Sequence, residues 1–233
     1  MVPFGRNLRS GSSIAEADPM VRQARAEITR DTVLAGAANV FLRLGYANAS
    51  LSEIISQSQV TKGALYFHFG SKEELARAVI DEGNARLSTA CMQFNDGRIP
   101  ALEAAIGISY IVVDLSVTDP MVSAMLRLSH QIGDYRGTEG NVMAGWSVAF
   151  DKLAAKAIAQ GDIDPSSDPS TIGSLVLEIL TGVHMVAVAT STTEELPSRM
   201  ERLWYYLLPA LVPTNKLDYF REFAARRVIR FGP

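Results

Sequence analysis

The segment 50–75, SLSEIISQSQVTKGALYFHFGSKEEL, carries the side chains whose types and spacing could do chemistry. Its middle places Lys62, Tyr66 and His68 beside the small residues Gly63 and Ala64. A mobile ammonium group and two aromatic donors suit contact with a sugar-phosphate surface, and small residues let a backbone approach it closely. The N-terminus of a short helix would add N–H groups and a positive dipole end. We therefore predict that this segment contacts nucleic acid.

Three helix start signals divide the segment into short helices. Ser50 with Glu53, and Ser71 with Glu74, have the spacing of capping boxes, and Thr61 is a suitable N-cap between them. Two short helices, a tight turn and the start of a third helix form a helix-turn-helix, whose second helix enters the major groove of DNA. We place that second helix at 62–68. The predicted DNA-binding residues are Thr61, Lys62, Gly63, Ala64, Tyr66 and His68, with Ser50, Lys72 and Arg25 beside them.

The aromatic residues of this segment have a structural interpretation as well. Tyr66, Phe67 and Phe69 could be core residues of a small helical domain, and we expect that role for Leu65 and Phe69. Lys62 has no function in a core, which favours DNA contact for Lys62 and Tyr66.

Residues 28–75 resemble the N-terminal domain of the TetR family of bacterial transcriptional repressors. The resemblance lies in ITRDTVLAGAANVFLRLGY, SLSEI, VTKGALYFHF and SKEEL. The form VTKGALYFHF, the start MVRQARAEITR, and the later segments GWSVAFDKLAAKAIAQGDI and RLWYYLLPALVP resemble the γ-butyrolactone receptor branch of actinomycetes. In all, the resemblance covers about residues 20–215. It implies a homodimer on a near-palindromic operator, released by a small hormone-like molecule and controlling antibiotic or secondary-metabolite genes.

A ligand pocket is expected in the C-terminal part of the chain. The apolar helix at 169–190 contains small residues together with the polar Thr181 and His184, a combination that suits an amphiphilic molecule. The resemblance aligns Trp146 with the pocket tryptophan of the receptors, although a tryptophan there could also be a core anchor. The predicted ligand-binding residues are Trp146, Thr181, His184, Tyr110, Met125 and His130.

Two positions depart from the family pattern. Gly83 stands where the receptors often have a glutamine directed at the pocket, which indicates another polar partner for the ligand and leaves a butenolide, a furan acid or an antibiotic intermediate as candidates. Gln59 stands where the family usually has a glycine in the turn before the second helix. A non-glycine residue at positive φ there would cost on the order of 1 kcal/mol.

Composition argues against several other classes of protein. Residues 22–77 carry seven basic and five acidic side chains, whereas residues 78–233 carry thirteen and eighteen, which favours DNA contact through the N-terminal part. The histidines are far apart, and the single Cys91 fits a reducing cytoplasm. We therefore expect no enzyme, no cofactor, no metal and a cytoplasmic protein. No stretch is predicted to cross a membrane, because the apolar run 175–190 is short and contains Glu178.

The periodicity predicts an all-α chain. Its parts are a flexible extension at 1–21, a three-helix helix-turn-helix domain at 22–77 and a helical ligand-binding and dimerisation domain at 78–233. Helix one is expected at about 22–44, ended by a left-handed Gly45. The helices at about 169–190 and 197–211 are expected to form the dimer interface, although a purely internal core is the alternative. Its candidate contacts are Leu175, Leu180, Trp204, Leu207 and Leu208.

Two rival functions remain at this point. The first has the same fold but senses a different small molecule: it is a regulator of an efflux or catabolic operon that responds to a drug or an acyl compound. The other is a helical interaction protein whose helix-turn-helix no longer binds DNA, against which Lys62 and Tyr66 argue.

Overall fold

A computed structural model describes residues 19–94, 97–132 and 142–228 of the chain. The expected all-α class is confirmed, since these ranges hold ten α-helices, three short 3₁₀ turns and no strand. The helices are α1 (Pro19–Asn48), α2 (Leu51–Ser58), α3 (Lys62–His68), α4 (Lys72–Cys91), α5 (Ala101–Thr118), α6 (Pro120–Ile132), α7 (Val142–Ala159), α8 (Pro169–Ala189), α9 (Leu196–Leu211) and α10 (Leu217–Val228). The extension predicted at 1–21 lies outside the described residues as far as residue 18.

Side-chain caps start α2, α3 and α4 at the predicted residues. The Ser50 hydroxyl accepts a hydrogen bond from the Glu53 amide at 3.2 Å, and the Glu53 carboxylate accepts from the Ser50 amide at 3.0 Å, which completes the capping box. Thr61 caps α3 by accepting from the Ala64 amide at 3.2 Å, and Ser71 caps α4. Each cap satisfies N–H groups that have no partner inside the helix.

Gln59 has the left-handed conformation that its position in the turn requires. Its φ of 54° and ψ of 31° end α2 and redirect the chain toward α3. The backbone strain expected at this position is therefore present, and a glycine would avoid it.

The first helix is longer than predicted at both ends. It begins at Pro19 and extends to Asn48, with Gly45 as a non-helical residue inside it. Gly45 has φ 74° and ψ 169°, so it is not the left-handed helical cap we expected but an extended conformation with positive φ, open only to glycine. The kink lets helical hydrogen bonding resume after it, with the Ala49 amide donating to the Gly45 carbonyl.

Two apolar cores meet at α6. The first core joins α1–α4 and includes Met121, Ala124 and Leu128 of α6. The second core joins α4–α10 and includes Val122 and Met125 of the same helix. The helix-turn-helix head predicted at 22–77 therefore buries its apolar side chains partly against α6, outside that range.

Polar contacts also fasten α6 to the end of α1. The Arg127 guanidinium donates to the Leu42 carbonyl oxygen at 2.6 Å, and the Gln131 side-chain oxygen accepts from the Tyr46 amide at 2.8 Å. These two hydrogen bonds attach α6 to the backbone on either side of the Gly45 kink. Movement of α6 therefore cannot leave the end of α1 undisturbed.

In the described part of the chain, α5 and α8 are long and apolar enough to cross a bilayer by length and composition. For α8 this differs from the sequence analysis, which took the apolar run as shorter. Most of α5 is buried in the second core, as the central helix of a packed bundle would be.

Candidate DNA interface and ligand pocket

The exposed face of α3 displays the predicted phosphate-contacting groups. Lys62 is exposed, and its ammonium nitrogen lies 5.8 Å from the centroid of the half-exposed Tyr66 ring. Leu65 and Phe69 are buried, as expected, and attach α3 to the first core. The helix is therefore held from behind while Lys62 and Tyr66 project from the protein.

Phe67 is a surface residue that the sequence analysis did not include in the site. It is 79% exposed, and its ring packs edge-on against His68 with centroids 5.0 Å apart. An exposed phenylalanine on this helix suits apolar contact with thymine methyl groups in the major groove. The spacing in the sequence already indicates that Phe67 is exposed. Leu65 and Phe69 lie one turn apart on the buried side of the helix, and Phe67 falls on the opposite side.

Gly63 leaves open space in front of α3. A Cβ atom added there would meet nothing within 4 Å, so packing inside the protein does not require a glycine. At Gly36, by contrast, an added Cβ would overlap the Ser58 side chain where α1 crosses α2. The small residue at 63 therefore suits the close approach of a partner surface.

The other predicted DNA contacts fall into two groups. Arg25 and Ser50 are exposed, Ala64 and His68 are half-buried, and Thr61 is exposed while its hydroxyl oxygen caps α3. Lys72 is a correction to the predicted set. Its ammonium donates to the carbonyl oxygens of Tyr46 and Ala49 at 2.8 and 2.9 Å, and it also lies over the Tyr46 ring, so its donors are used inside the protein.

A narrow, mostly apolar cavity lies between α4, α5, α6, α7 and α8. Its volume is about 40 Å³. The lining residues are Leu87, Val112, Met125, Leu126, His130, Met143, Trp146, Phe150, Leu177, Leu180, Thr181 and His184. The structure thus brings together five of the six predicted ligand-binding residues from three helices, α6, α7 and α8.

Tyr110 is the sixth predicted residue and does not line this cavity. It is fully buried on α5, whereas Val112 of the same helix faces the cavity. Two residues apart on an α-helix means a rotation of about 200°, so the two side chains point to different sides. Burial also raises the pKa of Tyr110, which keeps its hydroxyl neutral.

Two imidazoles supply most of the polar character of the cavity. Burial lowers the pKa of His130, and burial followed by the charge of His130 lowers the pKa of His184. Both rings therefore release their proton more readily than a free imidazole, and each neutral ring has one donor and one acceptor nitrogen. They can serve a neutral ligand oxygen without placing a charge among apolar side chains.

Trp146 is held by a polar partner that the sequence analysis did not assign. Its indole N–H donates to the side-chain oxygen of Asn84 on α4 at 3.0 Å. The neighbouring Gly83 lies against α6, where an added Cβ would overlap the Met125 Cβ atom. The glutamine found in the resembling receptors therefore has no room here, and Asn84 is the polar group of α4 beside Trp146.

Five large apolar side chains of α8 and α9 are exposed, and we call them together the α8–α9 face. It consists of Met185, Val186, Val188, Tyr205 and Tyr206, with Met185 51% and Tyr206 75% exposed. An apolar patch of this kind marks an interaction surface.

Three of the five predicted dimer contacts require correction, because they are buried within the protomer. Leu180, Trp204 and Leu208 belong to the second core, and Trp204 is 0% exposed with its indole N–H donating to the Ser109 hydroxyl at 2.9 Å. Leu175 and Leu207 are half-buried. Because α9 turns Trp204 and Leu208 inward, Tyr205 and Tyr206 are the residues that face outward. A charge at Trp204 would therefore unfold the protein instead of separating subunits.

The described residues contain no group of three or more metal-ligating side chains. The candidate sites of the described residues are thus the exposed face of α3, the cavity beside α6 and the α8–α9 face.

Two family models match the chain in the order of these structural parts. Residues 33–79 match the model described as bacterial regulatory proteins of the tetR family, and residues 99–213 match the tetracyclin repressor-like C-terminal domain. The first match contains α3, and the second contains Trp146 and the α8–α9 face.

Individual relatives show the same likeness over most of the chain. The A-factor receptor protein of Streptomyces griseus is 31% identical over 202 residues, which are 87% of this chain and 70% of the relative. A crystal structure of a γ-butyrolactone receptor described as ArpA-like superposes with a TM-score of 0.78, at 28% identity, over 88% of this chain and 99% of that one. CprB from Streptomyces coelicolor, in complex with its biological operator sequence, gives a TM-score of 0.73 at 33% identity, covering 87% and 97%.

Proposed function

The chain belongs to the TetR family of bacterial transcriptional regulators, and from that premise we propose that it is a homodimeric repressor released by a small signalling molecule. We propose further that it acts in the cytoplasm, controls antibiotic or secondary-metabolite genes and needs an inducer instead of a cofactor. The inducer would be a hormone-like amphiphile of the γ-butyrolactone, butenolide or furan type. The similarity to a γ-butyrolactone receptor and to operator-bound CprB supports both halves of this proposal.

The exposed face of α3 carries the DNA-binding half. Lys62 and Tyr66 would anchor phosphates, Gly63 would admit the sugar-phosphate backbone, and Phe67 would contact base edges. Two such helices in a dimer would occupy major grooves roughly one helical turn apart, ~34–36 Å.

The contacts of α6 support the second part of the proposal, which is that a ligand regulates DNA binding. Met125 and His130 line the cavity, while Arg127 and Gln131 of the same helix hold the end of α1. A molecule that enlarges the cavity would displace α6 and change the spacing of the two heads. Release requires only that this molecule bind the displaced conformer better than the operator-competent one.

The proposal is tested by fluorescence anisotropy on labelled DNA from upstream of the protein's own gene, with and without 2-acyl-γ-butyrolactones or an organic extract of the producing culture. We expect tight, salt-dependent binding that an inducer relieves. Binding that neither addition relieves would contradict the signalling half and favour a regulator with another input. If a selection from random-sequence DNA also yields no bound sequence, the repressor function is wrong.

Lys62→Ala should weaken operator binding across sequences and reduce the slope of log K against log salt by about one, because one phosphate contact is lost. The measurement is the same anisotropy titration at four salt concentrations. Arg226→Ala, which removes an exposed cation from α10 in the body, is the control and should leave the slope unchanged. An unchanged slope for Lys62→Ala would remove Lys62 from the phosphate contacts.

Gly63→Ala should separate stability from DNA binding. Alanine favours the helix by up to about 1 kcal/mol relative to glycine, and the added methyl group meets no protein atom within 4 Å. Operator affinity should nevertheless fall about tenfold, or ~1.4 kcal/mol, because the methyl group occupies the space left for the DNA backbone. Gly145→Ala on α7, where an added Cβ also meets nothing, should gain similar stability and bind operator normally. Unaltered operator binding by Gly63→Ala would place the DNA backbone elsewhere.

A further inference from the structure

A second and larger space lies on the other side of Trp146. It is an open groove between α4 and α7 with a volume of about 690 Å³. Its lining residues are Asp81, Asn84, Ser88, Cys91, Phe94, Ile108, Val142, Gly145, Trp146, Val148, Ala149, Lys152, Leu153 and Lys156.

The two spaces differ greatly in size. The cavity beside the histidines holds about 40 Å³, close to the volume of one water molecule in the liquid, ~30 Å³. Small-molecule sites generally enclose ~300–1,000 Å³. The groove lies within that range as it stands, whereas the cavity can take part of a ligand only after a side chain moves.

Trp146 forms the wall between the two spaces, since it lines both. The hydrogen bond from its indole N–H to Asn84 fixes this wall, and Asn84 is itself a groove residue. Trp146 is half-buried, packs beside Phe150 with ring centroids 6.3 Å apart, and has one side-chain hydrogen bond, which contributes only about 1 kcal/mol. An amphiphile whose alkyl chain replaces this apolar packing can therefore displace the ring. Displacement would join the groove to the cavity.

The charged groups of the groove favour an anion. Lys152 and Lys156 lie one turn apart on α7, and no described carboxylate forms an ion pair with either of them. Asp81 is the opposing charge on α4, so the lining carries two ammonium groups against one carboxylate. Burial raises the pKa of Cys91 to about 12, which leaves that part of the lining neutral.

We propose that this groove binds the head group of the inducer and prefers an amphiphile with a carboxylate. The carboxylate would lie at Lys152 and Lys156, and the alkyl chain would displace Trp146 and extend toward His130 and His184. This inference rests on the proposed function and specifies the ligand class that the regulator senses.

A matched pair of probes tests the preference, because 4-hydroxydodecanoate and γ-dodecalactone have the same carbon skeleton and differ in charge. Each is titrated at pH 8 and 50 mM salt into the full-length protein, and tryptophan fluorescence is recorded. The chain has two tryptophans; Trp204 is fully buried and lines neither space, so a ligand-induced change in the emission is assigned to Trp146. We expect the hydroxy acid to bind about tenfold more tightly, as two exposed ion pairs would produce.

Variants of the two lysines complete the test. Lys152→Gln with Lys156→Gln should abolish the preference, whereas Lys152→Arg with Lys156→Arg should retain it. Equal affinities in the unaltered protein, no binding of the hydroxy acid, or a preference that survives the glutamine variant would each overturn the proposal.

Release of operator, measured in the same samples, distinguishes the two proposals. A preference for the acid without operator release would support the groove and contradict the proposed regulation. Release by either probe without a preference would support the regulation and overturn the groove.

Discussion

Met185→Glu combined with Tyr206→Glu should lower operator affinity by about 10²- to 10⁴-fold, because the protein would lose the avidity of two linked heads. Both side chains project from the α8–α9 face, where Met185 is 51% and Tyr206 75% exposed within the protomer. If a second copy covers this face, the substitution buries carboxylates against apolar side chains and separates the subunits. Sedimentation velocity should show a monomer, and anisotropy should show the loss of operator binding.

Val117→Glu is the control for that experiment. Val117 is an exposed apolar residue near the end of α5, outside the α8–α9 face, so the substitution places one of the two added carboxylates elsewhere. It should leave a dimer that binds operator normally. A dimer that persists in the Met185 and Tyr206 variant would place the interface on another surface.

Trp146→Ala should abolish induction while leaving operator binding within about twofold of the unaltered protein. The side chain lines both the cavity and the groove, so its loss removes an aromatic contact worth at least ~2 kcal/mol, or about 30-fold in ligand affinity. The same substitution at Trp204 should cost ~3–5 kcal/mol of stability instead, since Trp204 is completely buried. The measurement is operator release as a function of inducer concentration, with thermal unfolding of both variants.

Trp146→Phe separates the ring from its hydrogen bond. The phenylalanine keeps an aromatic surface but cannot donate to Asn84, so the wall between groove and cavity should open more easily. We expect this variant to remain inducible at concentrations no higher than the unaltered protein needs. Normal induction of a folded Trp146→Ala protein would remove Trp146 from the ligand site.

The head could be predicted closely from the sequence because its determinants are local. The caps at Ser50, Thr61 and Ser71 and the strained turn at Gln59 depend on residues a few positions apart. The exposure of Phe67 was missed because the residue was considered only as a core aromatic, although its spacing from the buried Leu65 and Phe69 places it on the opposite side of α3.

The residues of the pocket were predicted in part, and the wrong assignments in all three predicted sites have one cause. Spacing along a helix gives the angle between two side chains but not which side meets the neighbouring helix. Spacing therefore did not show that Tyr110 and Trp204 face the second core. Nor did it show that the Lys72 ammonium donates to the carbonyl oxygens of Tyr46 and Ala49. The bond between Trp146 and Asn84 joins residues 62 positions apart, and no local pattern specifies such a pair.

The sharing of α6 between the two cores has a consequence for the dose of inducer. Under the proposed function, the helix that lines the cavity also holds the end of α1, so inducer and operator select between the same two positions of one element. Binding free energies are reciprocal, and the factor by which inducer weakens operator binding equals the factor by which operator weakens inducer binding. Operator DNA would then act as an antagonist of the inducer. Each additional operator in the genome would raise the concentration at which the regulon responds.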